Sequence, residues 1–360
     1  MRYRKLGSTG LTVSEIGFGT IPVLKGSVPV LPDYYNLSDA EALAVMEHAR
    51  SLGCNLYDTA IVPEYGDAEL KLGKFAASLD RGEIVISDKA RFYDGNDMYR
   101  AVETSCENLG TWADVYFVHQ VDFDSQNQVF GRGGALDALT ELKTRGLIRH
   151  TGIASHYYDI LLRAASDSRV DVLQGSGNLL ERGMLDRIEK EPLFRGKGLL
   201  VNKVYAAGLL PAFFPVETLL DTVLSYPVSS ALIGIGTVKQ ADAAMGFRPD
   251  SPDKIPSFGQ VLSALERYYS PIPCDRCQRC VCPHGTEIHT VFRQYQYYFL
   301  GKEHWALRKL NMGIEESARL CRACETMECV AMCPMRLLIP LEMEKIRRLV
   351  ESHYSPGYSK

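Results

Sequence analysis

Eight short apolar segments, each followed by helical or loop material, run between residues 15 and 235 of this 360-residue sequence. They read as strands at 15–19, into Asp58, and at 83–89, 115–118, 150–154, 170–174, 199–204 and 230–235. Helical patterns stand at 39–52, capped by Ser38, and at 64–75, 98–109, 135–145, 158–165, 216–225 and 237–245. Strands alternating with helices point to an α/β architecture built on a parallel sheet. Eight such units predict an α/β chain closed as a (β/α)8 TIM barrel. The open doubly wound sheet is disfavoured, since no G-x-G-x-x-G follows the first strand. Residues 3–6 and 11–16 flank Gly7-Ser8-Thr9-Gly10, a hairpin placed to close the bottom of such a barrel. In the second helical pattern, Leu70 and Phe75 are spaced for one buried face.

In a barrel of this kind the loops after the strands form the active face, so polar residues at strand ends carry information. The second strand ends in Asp58 and its loop holds Tyr65; the third ends in Lys89 and the fourth in His119. An acid, a phenol, an ammonium and an imidazole around one mouth suit proton transfer at a carbonyl or hydroxyl oxygen. The phenol is a weak acid, with a reference pKa of about 10. A neighbouring cation lowers that value, so Lys89 is expected to bias Tyr65 toward phenolate, Asp58 to hold Lys89 by an ion pair, and His119 to orient the carbonyl. Taken alone, Asp58 and Tyr65 also fit a helix cap and a packing aromatic.

A formal charge of -4 gives no basic surface to draw nucleic acid or anionic lipid. No export signal is visible at the start and no apolar run is long enough to span a membrane, so the expectation is a cytoplasmic protein with no membrane partner. Of ten cysteines, eight lie between Cys274 and Cys333, and this contrast sets the expected boundary: a barrel over 1–256 and a second domain over 257–360. Cys54 and Cys106 read as core residues. The aromatic run in 288–300 (Phe292, Tyr295, Tyr297, Tyr298, Phe299) reads as a packing helix.

Several stretches together resemble the aldo/keto reductase superfamily: YRKLGSTGLTVSEIGFGT at the start, YDTA followed by YGDAELKLG, Lys89 in SDKA, His119 in FVHQVD, and LDALTELKTRGLIRHTGIASH. The resemblance covers roughly residues 1 to 245. It implies a catalytic tetrad of Asp58, Tyr65, Lys89 and His119 and a cofactor of the NADP(H) type, with NAD(H) as the alternative. It further implies that Thr20, Ser155, Gln174, Asn202, Lys203, Gly236, Thr237 and Lys239 line the nicotinamide and phosphate sites. Three departures stand out. Six residues separate Asp58 from Tyr65, more than the family's usual interval; Asn202 replaces the stacking aromatic; and Ala243-Ala244 replaces the acidic-amide pair that holds adenine.

The tail resembles a dicluster ferredoxin domain, small and α-rich here, as found fused to one branch of the superfamily. Cys274, Cys277, Cys280 and Cys282-Pro283 form one run, and Cys321, Cys324, Cys329 and Cys333-Pro334 the other. In bacterial ferredoxins the Cys before Pro ligates the other run's cluster. The resemblance thus implies one 4Fe-4S cluster on Cys274, Cys277, Cys280 and Cys333, and a second on Cys321, Cys324, Cys329 and Cys282. Zinc held by paired C-x2-C groups is the alternative.

The resulting expectation is an NAD(P)-linked oxidoreductase that interconverts a small-molecule carbonyl and an alcohol, coupled to or stabilised by two clusters. A candidate macromolecular partner is an electron-transfer protein. The alternative is a redox-sensing or binding module with a weakened nucleotide site that signals to a protein partner.

Overall fold

The computed structural model describes residues 1–26, 36–208, 210–212, 214–246, 272, 274, 277, 279–301 and 304–354. The chain divides into two compact units, Met1–Phe258 and Gly259–Lys360. The expected boundary at 256/257 lies outside the described residues, as do the last six residues of the chain.

In the first unit, β1 (Tyr3–Lys5) and β2 (Thr12–Ser14) form an antiparallel hairpin. Eight parallel strands follow: β3 (Ile16–Gly19), β4 (Leu56–Asp58), β5 (Val85–Ala90), β6 (Ala113–Val118), β7 (Ile148–Ala154), β8 (Val172–Ser176), β9 (Gly198–Asn202) and β10 (Ser230–Gly234). They close as a barrel in chain order, with β10 pairing β3. The helices are α1 (Asp39–Ser51), α2 (Ala68–Ala76), α3 (Gly95–Leu109), α4 (Gln126–Phe130), α5 (Ala135–Thr144), α6 (Tyr158–Ser166), α7 (Gly183–Lys190), α8 (Val216–Leu224) and α9 (Val238–Met245). The short α4 and α7 were not foreseen. Ser38 caps α1 in a full capping box: Glu41 N–H donates to Ser38 Oγ, and Ser38 N–H donates back to Glu41 Oε2 at 2.8 Å.

The strands are buried along nearly their whole length because helices cover the outside and side chains fill the inside. One inward layer consists of Leu56, Val85, Val115, Phe117, Val172, Leu200 and Leu232, and Leu6 and Val13 of the hairpin pack against it. The hairpin thereby plugs the lower end. Gly7 makes this approach possible: it has φ +56°, and a Cβ there would stand 2.2 Å from Gly198 N.

In α2 the expected buried face is corrected. Leu70 is exposed, while Ala68, Leu72, Phe75 and Ala76 are buried. A spacing of five residues turns about 140° around an α-helix, so Leu70 and Phe75 fall on different faces; a 3-10 turn at Pro63–Tyr65 precedes the helix, which starts at Ala68.

The second unit is helical among its described residues: α10 (Ile288–Gly301), α11 (His304–Asn311), α12 (Ile314–Ala323), α13 (Glu328–Ala331) and α14 (Ile339–Tyr354). Its own core joins Phe292, Tyr295, Tyr298, Leu310, Met343 and Ile346. The aromatics of α10 thus pack inward, with Tyr297 left at the surface. No helix among the described residues is long and apolar enough to cross a membrane.

Candidate active site

Strand alternation decides which side chains share the barrel lumen, because successive residues point to opposite faces. The inward series that starts with Leu56, Val85, Val115, Val172 and Leu200 continues two or four residues later in Asp58, Lys89, His119, Gln174 and Asn202. The apolar layer below therefore fixes the polar layer above.

Asp58 and Lys89 form the centre of that layer. Lys89 Nζ donates to Asp58 Oδ2 at 2.5 Å and to the Thr59 carbonyl at 2.8 Å. Ser87 Oγ at 2.7 Å and Gln174 Nε2 at 3.0 Å both donate to Asp58 Oδ1. Asp58 pairs in register with Ser87 across β4 and β5, which places that hydroxyl beside it. Sequence reasoning missed Ser87, although its position two residues before Lys89 was the available signal. Burial works against a charge on Lys89, but Asp58 and Tyr65 hold its ammonium above the usual lysine range.

Tyr65 ends the 3-10 turn at Pro63–Tyr65, which absorbs the long interval after Asp58 and still brings the phenol to the lysine. Lys89 Nζ stands 5.3 Å from the centre of its ring. Burial raises the phenol's pKa, and Lys89 opposes that rise without cancelling it. Lys89 thus acts on Tyr65 in the expected direction, toward phenolate, while desolvation outweighs it and leaves the phenol's pKa above its usual value.

His119 sits at the end of β6, its backbone N–H bonded to the Ala90 carbonyl. Burial pushes its pKa down to about 2, assisted by Lys89, Arg91, His156 and Lys203. The imidazole is therefore neutral, and its buried Nδ1 has no partner. Arg91, His156 and the Glu64 that binds Arg91 at 2.6 Å are neighbours the sequence did not single out. Lys203 follows β9 in a left-handed conformation, φ 60°, and its pKa is lowered by burial and then by Lys89.

The remaining expected residues surround this centre unevenly. Thr20 Oγ1 donates to Thr59 Oγ1 at 2.9 Å, and Ser155 Oγ donates to the Val121 carbonyl at 2.6 Å. Gln174 Oε1 and Asn202 Oδ1 are buried acceptors without a partner. Thr237 caps α9, Gly236 N–H donates to Gln240 Oε1, and Lys239 is exposed on the first turn. Of the Ala243-Ala244 pair, Ala244 packs into the core while Ala243 is exposed.

Residues 15–214, more than half of the chain, match the aldo/keto reductase family. The chain belongs to that family. It is 33% identical over 186 residues to the L-galactose dehydrogenase of Arabidopsis thaliana, covering 47% of this chain and 54% of that protein. It is 27% identical over 238 residues to the D-threo-aldose 1-dehydrogenase of a Pseudomonas species, covering 56% and 69%. The matched segment thus spans about half to seven-tenths of these relatives. A crystal structure assigned as an aldo-keto reductase from Pseudomonas aeruginosa superposes with a TM-score of 0.58 at 30% identity, over 68% of this chain and 93% of that one.

The family match stops before the second unit, whose chemistry rests on its thiols. No disulfide joins any of the ten cysteines. Burial pushes the Cys280 thiol up, and the thiols acting on it are Cys274, Cys333 and Cys277. Burial likewise pushes Cys321 up to about 11, and its neighbours are Cys282, Cys329 and Cys324. Both sets draw one thiol from the other sequence run. Among the described residues, however, no group of three or more His, Cys, Asp or Glu side chains is placed to hold a metal ion. The two expected four-cysteine ligand sets are neighbours rather than formed metal sites.

Proposed function

We propose that this chain is an NAD(P)-linked oxidoreductase that interconverts a carbonyl and an alcohol, with Tyr65 giving or taking the proton at the oxygen. The observation that carries this reading is the buried chain from Asp58 through Lys89 to Tyr65. As a neutral phenol Tyr65 is ready to protonate a carbonyl oxygen. As that proton leaves, the Lys89 ammonium stabilises the phenolate, and Asp58 keeps Lys89 charged and aimed. The neutral His119 adds a hydrogen bond to the same oxygen without competing for the proton. A bound nicotinamide supplies the hydride. Gln174 Oε1 and Asn202 Oδ1 fit its carboxamide, because two buried acceptors lacking donors suit an amide N–H. Thr20 and Ser155 stand nearby as further contacts, and Lys203, Gly236, Thr237 and Lys239 are the candidates for phosphate. Relatives named for L-galactose and D-threo-aldose make a sugar-sized hydroxyl or carbonyl compound the first substrate class to test.

For the tail we infer two 4Fe-4S clusters, on Cys274, Cys277, Cys280 and Cys333 and on Cys282, Cys321, Cys324 and Cys329. The support is the pairing of thiols across runs. A cubane binds each thiolate at a different iron, so it accepts thiols spaced more widely than one metal ion allows. Clusters there would carry single electrons to or from a partner protein. The deciding experiment is turnover of NADPH or NADH against aldoses, aldehydes and ketones. Tyr65→Phe should abolish it while dinucleotide binding persists; undiminished turnover would remove Tyr65 from the chemistry.

A further inference from the structure

Directly behind Lys89, on the outward face of β5, lies a second buried acid that the proton-transfer scheme does not use. Asp88 is fully buried and Glu69 of α2 is 3% exposed. Asp88 Oδ1 accepts the Lys89 backbone N–H at 2.7 Å, and Glu69 Oε2 accepts Asn108 Nδ2 of α3 at 2.6 Å. Their other oxygens, Asp88 Oδ2 and Glu69 Oε1, are both buried and lack a donor. Two ionised carboxylates in that position would repel and leave both oxygens unsatisfied, whereas one proton between them serves both.

The placement of the pair is rigid. Gly73, one turn after Glu69, lets α2 meet α3 so closely that a Cβ would stand 2.3 Å from the Asn108 carbonyl oxygen. The groups facing the pair are Lys89 on its own strand, Cys106 and, beyond it, Glu103 on α3, and Tyr116 across β6, whose hydroxyl bonds Ser105 at 2.9 Å. Lys89 is a cation acting on Asp88, and it is committed to Asp58 on the inward side. Burial and then Glu69 raise the Asp88 carboxyl well above its usual range, in accord with a retained proton.

We propose that Asp88 and Glu69 share one proton and grip the Lys89 peptide, acting as positioning residues for the ammonium on the opposite face of the strand. The proton sharing stands on its own, whereas the effect on turnover rests on the proposed reaction.

The test uses the full chain with Asp88→Asn, Glu69→Gln and Asp88→Ala. In wild type the infrared spectrum at neutral pH should contain a buried carboxylic-acid C=O stretch, lost in both amide variants, where the amide N–H replaces the shared proton. Because the folded chain keeps a proton that the unfolded chain releases, wild-type stability should fall as pH rises from about 4 up through the pair's own pKa. Both amide variants should lose that slope. Asp88→Ala should lower kcat at least about tenfold with little change in KM, and Asp88→Asn should restore most of it by keeping the acceptor for the Lys89 N–H. Amide variants that melt higher than wild type at neutral pH, with no acid stretch in wild type, would mean two repelling carboxylates and overturn the shared proton. Asp88→Ala with undiminished kcat would overturn the positioning role. Should that variant fail to fold, the infrared and melting results for the amide pair still decide the proton, and the kcat split between Asp88→Asn and Glu69→Gln decides the grip. Under the proposal Asp88→Asn retains it, and a large loss in Asp88→Asn alone refutes it. Absence of turnover in wild type with the acid stretch present would count against the reaction and leave the proton in place.

Discussion

Lys89 Nζ lies 2.5 Å from Asp58 Oδ2, with both side chains almost wholly shut away from water. Breaking a buried pair leaves the surviving charge without compensation, which costs about 3–5 kcal/mol. Lys89→Met should therefore melt lower than wild type and lose about a hundredfold or more in kcat/KM. Adding Asp58→Asn should recover much of the stability and none of the activity. Equal recovery of both would show that the pair is structural.

The raised pKa of Tyr65 sets the sign of the pH response. Carbonyl reduction needs the protonated phenol, so its rate should stay level through the ordinary tyrosine range near about 10 before falling. Alcohol oxidation needs the phenolate and should rise with pH over the same interval. Rate profiles in both directions check this, and a reduction rate that collapses near neutrality would point to another acid.

Anaerobically purified protein should be brown, with iron and sulfide near about eight each. Cys280→Ser and Cys321→Ser should each remove about half of the iron, because the two thiols fall in different sets. Colourless protein containing zinc would sink the cluster assignment.

Lys239 projects from the first turn of α9 into solvent. If it meets the additional phosphate of NADPH, Lys239→Ala should weaken NADPH about tenfold, or ~1.4 kcal/mol, and leave NADH nearly unchanged. Calorimetry with both nucleotides decides; equal loss for the two would place the lysine on a shared phosphate.

Gly73→Ala would drive a methyl into backbone of α3, at Asn108 O and Leu109 Cα. Because backbone cannot swing aside as a side chain can, a loss of about 1–3 kcal/mol is expected in denaturant unfolding. A stability gain, as Gly to Ala gives in an open helix, would show that α2 and α3 can separate without cost.

The eight strands were legible because parallel strands buried on both faces appear as short unbroken apolar runs, and the polar ends of three of them because those runs break off at the mouth. Asp58, Lys89 and His119 could be named from strand ends alone. Leu70 was misread because a five-residue interval to Phe75 does not match one face of a helix with 3.6 residues per turn. The burial that opposes Lys89 at Tyr65 was not legible, because its depth depends on residues distant in the chain. Asp88 and Glu69 escaped notice for the same reason: nineteen positions apart, they meet only once α2 lies against β5.

The hairpin that presses Leu6 and Val13 against the lowest apolar layer stoppers the barrel at that end. Under the proposed reaction, dinucleotide and substrate would then share one doorway, at the mouth where Asp58, Lys89 and His119 lie, and the one in the deeper berth would arrive first and depart last.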